Sequence, residues 1–250
     1  MENNEMVVVS SQQTQTQPSI YSSVHSFEAA QRMAQQLCTS TMVPKDYQNN
    51  VSNTLVALEM AYRTGVSPLM VMQNLHVIQG KPSWSSSFII ASLNSCGRFT
   101  PLQFRTTALG GKVVKYQETQ WVNGQKVRKE NQITIQDFSC VAFAHDVNGK
   151  LIEGPAVSVE MAVKEGWYTK ADSKWQTMTE LMLNYRSAAF FGRLYAPDVL
   201  QGMHSADEVK DFGGDLNETS KPNPVQILNE RVAPQNVHST NAQVMNEAID

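Results

Sequence analysis

Residues 177–196 read TMTELMLNYRSAAFFGRLYA, and the fold is read outward from them. Thr177, with Glu180 three residues on, has the form of a capping box, so the spacing predicts a helix from Thr177 to Ala196, stopped by Pro197. Apolar residues surround its axis, among them Leu181, Met182, Leu183, Phe190, Phe191 and Leu194. A helix that is hydrophobic all round is normally buried. Yet it carries Arg186 and Arg193, two turns apart and therefore on one face. Their helical neighbours at i±3 and i±4 are Met182, Leu183, Ala189, Phe190, Ala196 and Pro197, so neither has a carboxylate within its own helix. Buried guanidinium groups require an anion from elsewhere. Two readings stand side by side: a pair of tertiary salt bridges, or a face that binds phosphate.

Charge is unevenly spread along the chain. The net charge of the 250 residues is −3, but residues 26–205 hold 17 Lys+Arg against 13 Asp+Glu. Residues 206–250 hold 3 against 8, and residues 1–25 add two more acids. A mildly basic body thus carries an acidic tail, which permits an anionic polymer as partner without requiring one.

The first 25 residues, centred on SSQQTQTQPS, and those from 212 on are polar and without periodicity, and both read as disordered arms. Between them, residues 26–211 are long enough for one core domain. The Met6–Val9 run is too short for a signal sequence and follows acidic residues. No stretch approaches the ~20 apolar residues of a membrane span. Cys38, Cys96 and Cys140 are odd in number and widely spaced, which argues against a disulfide framework or a zinc site. The reading is a soluble, intracellular protein with no membrane partner.

Helices are expected at 26–37, at 53–63 with Gly65 as stop, at 69–74 after a Ser67-Pro68 start, and at 85–95. Leu75–Gln79 is strand-like and Gly80-Lys81-Pro82 reads as a turn. From Phe99 the period becomes two. Strands are expected at 99–107, 112–122, 126–135, 138–147 and 151–152, with hairpin turns at Asn123-Gly124 and Asn148-Gly149 and a weaker one at Gly110-Gly111. Helices resume at 158–165 and 177–196, and Ser205 with Glu208 caps a last short one. The order of N-terminal helices, central antiparallel β-meander and C-terminal helices is an α+β domain.

Candidate binding groups cluster in three places. Trp167, Lys170, Lys174 and Trp175 mix aromatic and basic side chains in the loop before the arginine helix, where they stack on bases or else anchor the loop in the core. Lys112, Lys115, Lys126, Arg128 and Lys129 make a basic hairpin, which either follows a nucleic-acid backbone or is simply solvated. Lys81 precedes a helix start, and Arg98 follows Gly97. Nucleotide-binding, zinc-protease and serine-hydrolase motifs are missing, as is any cluster of carboxylates with a lysine suited to a nuclease. No cofactor, metal or catalytic residue is expected.

Residues 42–99 (MVPKDYQNNVSNTLVALEMAYRTGVSPLMVMQNLHVIQGKPSWSSSFIIASLNSCGRF) and 153–209, which end LYAPDVLQGMHSADEV, resemble the RecT family of phage-type single-strand annealing recombinases, related to the Redβ proteins. The resemblance covers most of 42–209 and is weakest over 100–150. It implies an ATP-independent, non-enzymatic protein that coats single-stranded DNA, anneals a complementary strand and holds the annealed duplex. It further implies a homo-oligomer, ring or helical filament, working beside a phage exonuclease, with the host single-strand binding protein as a further candidate partner. By the same resemblance Arg186 and Arg193 line a DNA groove, Lys81 lies in a basic hairpin beside it, and Lys170, Lys174, Trp175 and Arg98 complete the candidate set. Where related proteins carry a basic residue near the start of this helix, the chain has Glu180. Two other classes remain open: a structural or assembly protein of a phage particle, and a nuclease of the same pathway.

Overall fold

Serine and asparagine caps set where most helices begin. In the computed structural model, which describes residues 19–78, 80–122 and 125–212, the first helix is α1 (Val24–Leu37), capped by Ser23. α2 (Val51–Thr64) is capped by Asn50 and ends at Gly65, whose φ of +68° only a residue without Cβ adopts freely. Ser67 caps α3 (Pro68–Asn74) and Ser85 caps α4 (Ser86–Ser95). Each cap oxygen accepts a backbone N–H that the first turn leaves unpaired.

Between α3 and α4 lie β1 (Leu75–Ile78) and β2 (Lys81–Trp84), a two-stranded antiparallel hairpin. Lys81 and Pro82, read from sequence as turn residues, are strand residues. Lys81 pairs with Ile78, and Gly80 just before it takes a φ of +77°.

The expected meander of several short strands is built instead from two very long ones, β3 (Gln103–Val122) and β4 (Gln125–His145). Gly110-Gly111 does not turn the chain. The register shifts by one residue between Ala108 and Gly110, and Gly110 takes a φ of +84°. This is a bulge, which bends and twists the ribbon without ending it. Its effect on β4 is visible in burial, since Cys140, Ala142 and Ala144 face the core on one side of the bulge, and Ile135 and Asp137 on the other. The expected Asn123-Gly124 turn falls outside the described residues. β5 (Leu151–Glu153) pairs with residues 143–145 of β4 after the Asn148-Gly149 turn, and β6 (Val157–Ser158) pairs with residues 139–140, giving an antiparallel order β3-β4-β5 with β6 beside β4.

α5 (Val159–Lys164) starts on the Ser158 cap, and two further helices follow before the final one. The helix expected at 177–196 is α7 (Thr179–Tyr195), and a separate short helix, α6 (Lys174–Thr177), precedes it. Thr177 is therefore not an N-cap. Ser173 caps α6, and the Thr179 hydroxyl donates to the Trp175 carbonyl at 2.7 Å, holding the break between the two helices. α8 (Ala206–Phe212) begins with the expected box: Ser205 N–H donates to Glu208 Oε2 at 3.0 Å, and Glu208 N–H to Ser205 Oγ at 3.1 Å.

α7 lies between two apolar clusters. One gathers Tyr47, Met72, Trp84, Phe88, Leu93, Phe191 and Leu200, and the other Val114, Ile135, Val163, Trp167, Trp175 and Leu183. Burying side chains of this size contributes about 1.5–3 kcal/mol each, which places the determinants of the fold along α7. Gly192 shows how tight the packing is, since a Cβ there would lie 2.7 Å from Leu200 Cδ1 and 3.3 Å from Leu93 Cδ1. A third, smaller cluster holds α1 on α2, and Glu59 on α2 accepts from the Ile20 N–H and the Ser19 hydroxyl. The ordered domain thus starts earlier than the expected boundary at residue 26. One unit extends through Asp211. The remainder of both expected arms, residues 1–18 and 213–250, lies outside the described residues. Among the described residues no helix is long and apolar enough to cross a membrane.

Candidate nucleic-acid interface

Both arginines of α7 reach α8. Arg186 forms an ion pair with Asp211, and its guanidinium lies 3.8 Å from the centre of the Trp167 ring. Its exposure is 2 %, so it belongs to the interior. Burial lowers its pKa from the ordinary guanidinium value, opposed by the carboxylates of Glu208 and Asp211. Arg193, two turns on, places Nη2 2.8 Å from Glu208 Oε1 and Nη1 2.8 Å from His204 Nδ1. Its side chain keeps 30 % of its exposure, whereas that of Glu208 keeps none.

The anions that the helix itself lacks therefore come from two carboxylates one turn apart on α8. This is the geometry of tertiary salt bridges, the first of the two readings of these arginines. Composition alone assigned residues 206–211 to the acidic tail and hid the partners. The Ser205/Glu208 capping box was the available signal, because a helix starting there puts Glu208 and Asp211, three apart, on one face.

The loop before α7 is tied to the same place. Lys170 Nζ donates to the carbonyls of Lys210 (3.1 Å) and Asp211 (2.7 Å) and pairs with Asp211 Oδ1 at 3.4 Å, so it caps the C-terminal end of α8. Trp175, a member of the candidate DNA-binding set for which base stacking and core anchoring both stood open, is 1 % exposed, with its ring 5.6 Å from that of Trp167. It anchors the loop in the core, and no base can reach its faces without unfolding it. The Trp175 indole N–H and Arg186 Nη1 are buried without a hydrogen-bond partner among the described residues. Beside them is a cavity of about 270 Å³ lined by Lys170, Lys174, Lys210, Asp207 and both tryptophans.

Lys174 and Lys81 differ from the arginines. Both are exposed, and among the described residues neither forms an ion pair. Lys81 stands at the start of β2, whose other end is fixed to the region before α8: Trp84 N–H donates to His204 O at 3.1 Å, and Trp84 Nε1–H to Leu200 O at 3.2 Å. Arg98 stands apart. Both its terminal nitrogens bond Asp198, which joins the turn after α4 to the loop after α7.

The fold thus gathers Arg186, Lys170, Lys174 and Trp175 around one end of α8 and brings Arg193 to its first turn, while Lys81 lies on β2 and Arg98 in the turn after α4. The sequence reading did not foresee the ion-pair network in which Lys112 Nζ contacts the buried Asp137 (2.8 Å) and the partly exposed Glu160 (2.7 Å), and Lys164 contacts Glu160 (2.7 Å). Set against protein-family models, curated proteins and solved structures, the chain matches none.

Proposed function

We propose that this chain is a single-stranded DNA-annealing protein of the RecT type, acting without ATP and without a covalent catalytic centre. The observation that carries the reading is the way the two stretches of resemblance lie together. Residues 42–99 and 153–209 are separated in sequence by the ribbon, yet they share one core in which Tyr47, Trp84, Phe88 and Leu93 pack with Phe191, Ala196 and Leu200. Trp84 hydrogen-bonds Leu200, and Ser86 Oγ donates to Asp207 at 2.8 Å. The resemblance therefore spans one physical unit.

In this reading Lys81, Lys174 and the exposed part of Arg193 meet the DNA backbone, while Arg186, Lys170 and Arg98 hold the surrounding loops and α8 in place. Cations on phosphates offset the repulsion between approaching strands, and the displaced counterions drive binding. Sequence is left to base pairing, so contacts to base edges are not needed. Many copies along one strand raise the effective concentration. Single-stranded DNA and the annealed duplex are the ligands, a phage exonuclease is the partner that exposes the strands, and the compartment is the cytoplasm of the infected cell.

The ion-paired state of Arg186 and Arg193 equally favours a second reading, a structural or assembly protein of a phage particle whose oligomers are indifferent to DNA. Equilibrium binding of single-stranded oligonucleotides against salt tests the first reading. If ~3–5 phosphates are neutralised per protomer, log affinity falls with log salt at a slope of roughly −2 to −4, with little dependence on sequence. A flat salt response, or no binding, favours the second.

A further inference from the structure

Among the described residues, the ribbon of β3 and β4 leaves long stretches of both edges unpaired. β5 and β6 cover β4 only over residues 139–140 and 143–145. Among the described residues, the backbone of 109–117 and 127–137 makes no backbone hydrogen bond beyond the β3–β4 ladder. One face is filled where Val114 and Ile135 pack against Val159 and Val163 of α5. Away from that face Val113 is 60 % exposed, and Leu109 and Val127 are exposed as well. A two-stranded ribbon is marginal in water by itself, and an unpaired edge is a template for another strand.

We propose that a second copy of this chain pairs with the ribbon, the open edge of β3 in one copy adding antiparallel to the open edge of β4 in the next. Both halves of such a contact are present on each chain, and their charges suit each other. The register within the hairpin sets Glu118 opposite Lys129, and Lys115 Nζ lies 3.3 Å from Glu130 Oε1. The same register between copies sets the same opposite charges across the new edge, whereas β4 against β4 would bring the Arg128-Lys129 pair of one copy toward that of the other. A contact of this kind is head-to-tail. Each addition leaves one β3 edge and one β4 edge free, so it either closes into a ring or extends as a filament. The inference deepens the oligomer named in the proposed function, but it draws on the ribbon alone and its test contains no DNA.

Single cysteines read the contact. Two full-length proteins are made with Cys96→Ser, one also carrying Val113→Cys and the other Thr134→Cys, positions that face each other in the hairpin register. The remaining cysteines, Cys38 and Cys140, are buried. After mixing without DNA and treating with a short bis-maleimide, the mixed dimer is expected to exceed half of all crosslinked product, with little of either like dimer. A second pair, Lys115→Cys with Gln132→Cys, reads the same edge should the first fold poorly. Like dimers in statistical yield, or no crosslinking, overturns the proposal. Because DNA is absent, failure of the annealing reading leaves this outcome unaffected.

Discussion

Arg186 and Asp211 form an ion pair shielded from water on both sides: their side chains keep 2 % and 13 % of their exposure, and Trp167 covers the guanidinium face. Arg98 and Asp198, by contrast, form a bidentate pair on the surface. The two pairs make opposite demands on stability. Removing one partner of a buried pair leaves an uncompensated charge and costs about 3–5 kcal/mol, whereas an exposed pair contributes about 0–1 kcal/mol. Asp211→Ala is therefore expected to lower unfolding free energy several-fold more than Asp198→Ala, as read by urea denaturation at neutral pH.

The pH dependence of stability is expected to be carried in part by Glu160. Hydrogen bonds from Lys112 and Lys164 bring its pKa down from 4.5 to about 2. A folded-state pKa below the unfolded one contributes stability that is complete above the unfolded value and lost as pH falls through the folded one. Glu160→Gln should thus be less stable than the parent at neutral pH. The difference should shrink between pH 4.5 and about 2 and vanish below. Urea midpoints across that range check it, and a constant offset at every pH would show that the ion pairs are not the cause.

Truncation separates the tail from the domain. Ending the chain after residue 212 keeps Glu208 and Asp211 with their arginines and the carbonyls that Lys170 caps. That protein is expected to melt cooperatively and to anneal DNA in vitro, while recombination in cells falls if the tail recruits partners. Ending it after residue 204 removes α8, orphans Arg186 and strips Ser205 from its bridge to Trp84. This shorter chain is expected to be insoluble or to unfold without a cooperative transition, as circular dichroism on heating would show.

Much of the fold is legible in the sequence because its signals are local. Ser67-Pro68, Ser85, Ser158 and the Ser205/Glu208 box each mark a helix start with a side chain that bonds its own backbone. What is not legible depends on partners distant in sequence. Gly110-Gly111 has turn composition, but whether it turns or bulges is decided by 20 residues of pairing with β4. Thr177 and Glu180 match a capping box, yet Ser173 starts a short helix first and the Thr179 hydroxyl reaches back to Trp175. The site shows the same division. The sequence identifies Arg186 and Arg193 as buried cations in need of an anion, and only the packing of α8 supplies Glu208 and Asp211. Of the candidate cations, Lys81 and Lys174 are the exposed ones without an ion pair among the described residues, which the sequence could not rank above the arginines.

The most direct measurement of the central claim is strand annealing. A labelled oligonucleotide is coated with the full-length protein, its complement is added without nucleotide, and duplex yield and strand length are followed over time. The account predicts duplex formation well above the protein-free rate, with the labelled strand intact. It further predicts that Lys81→Glu and Lys174→Glu slow annealing while melting temperature stays unchanged, since neither lysine holds an ion pair that a reversal would break. Duplex formation no faster than without protein, or a labelled strand that shortens when magnesium is present, would contradict it.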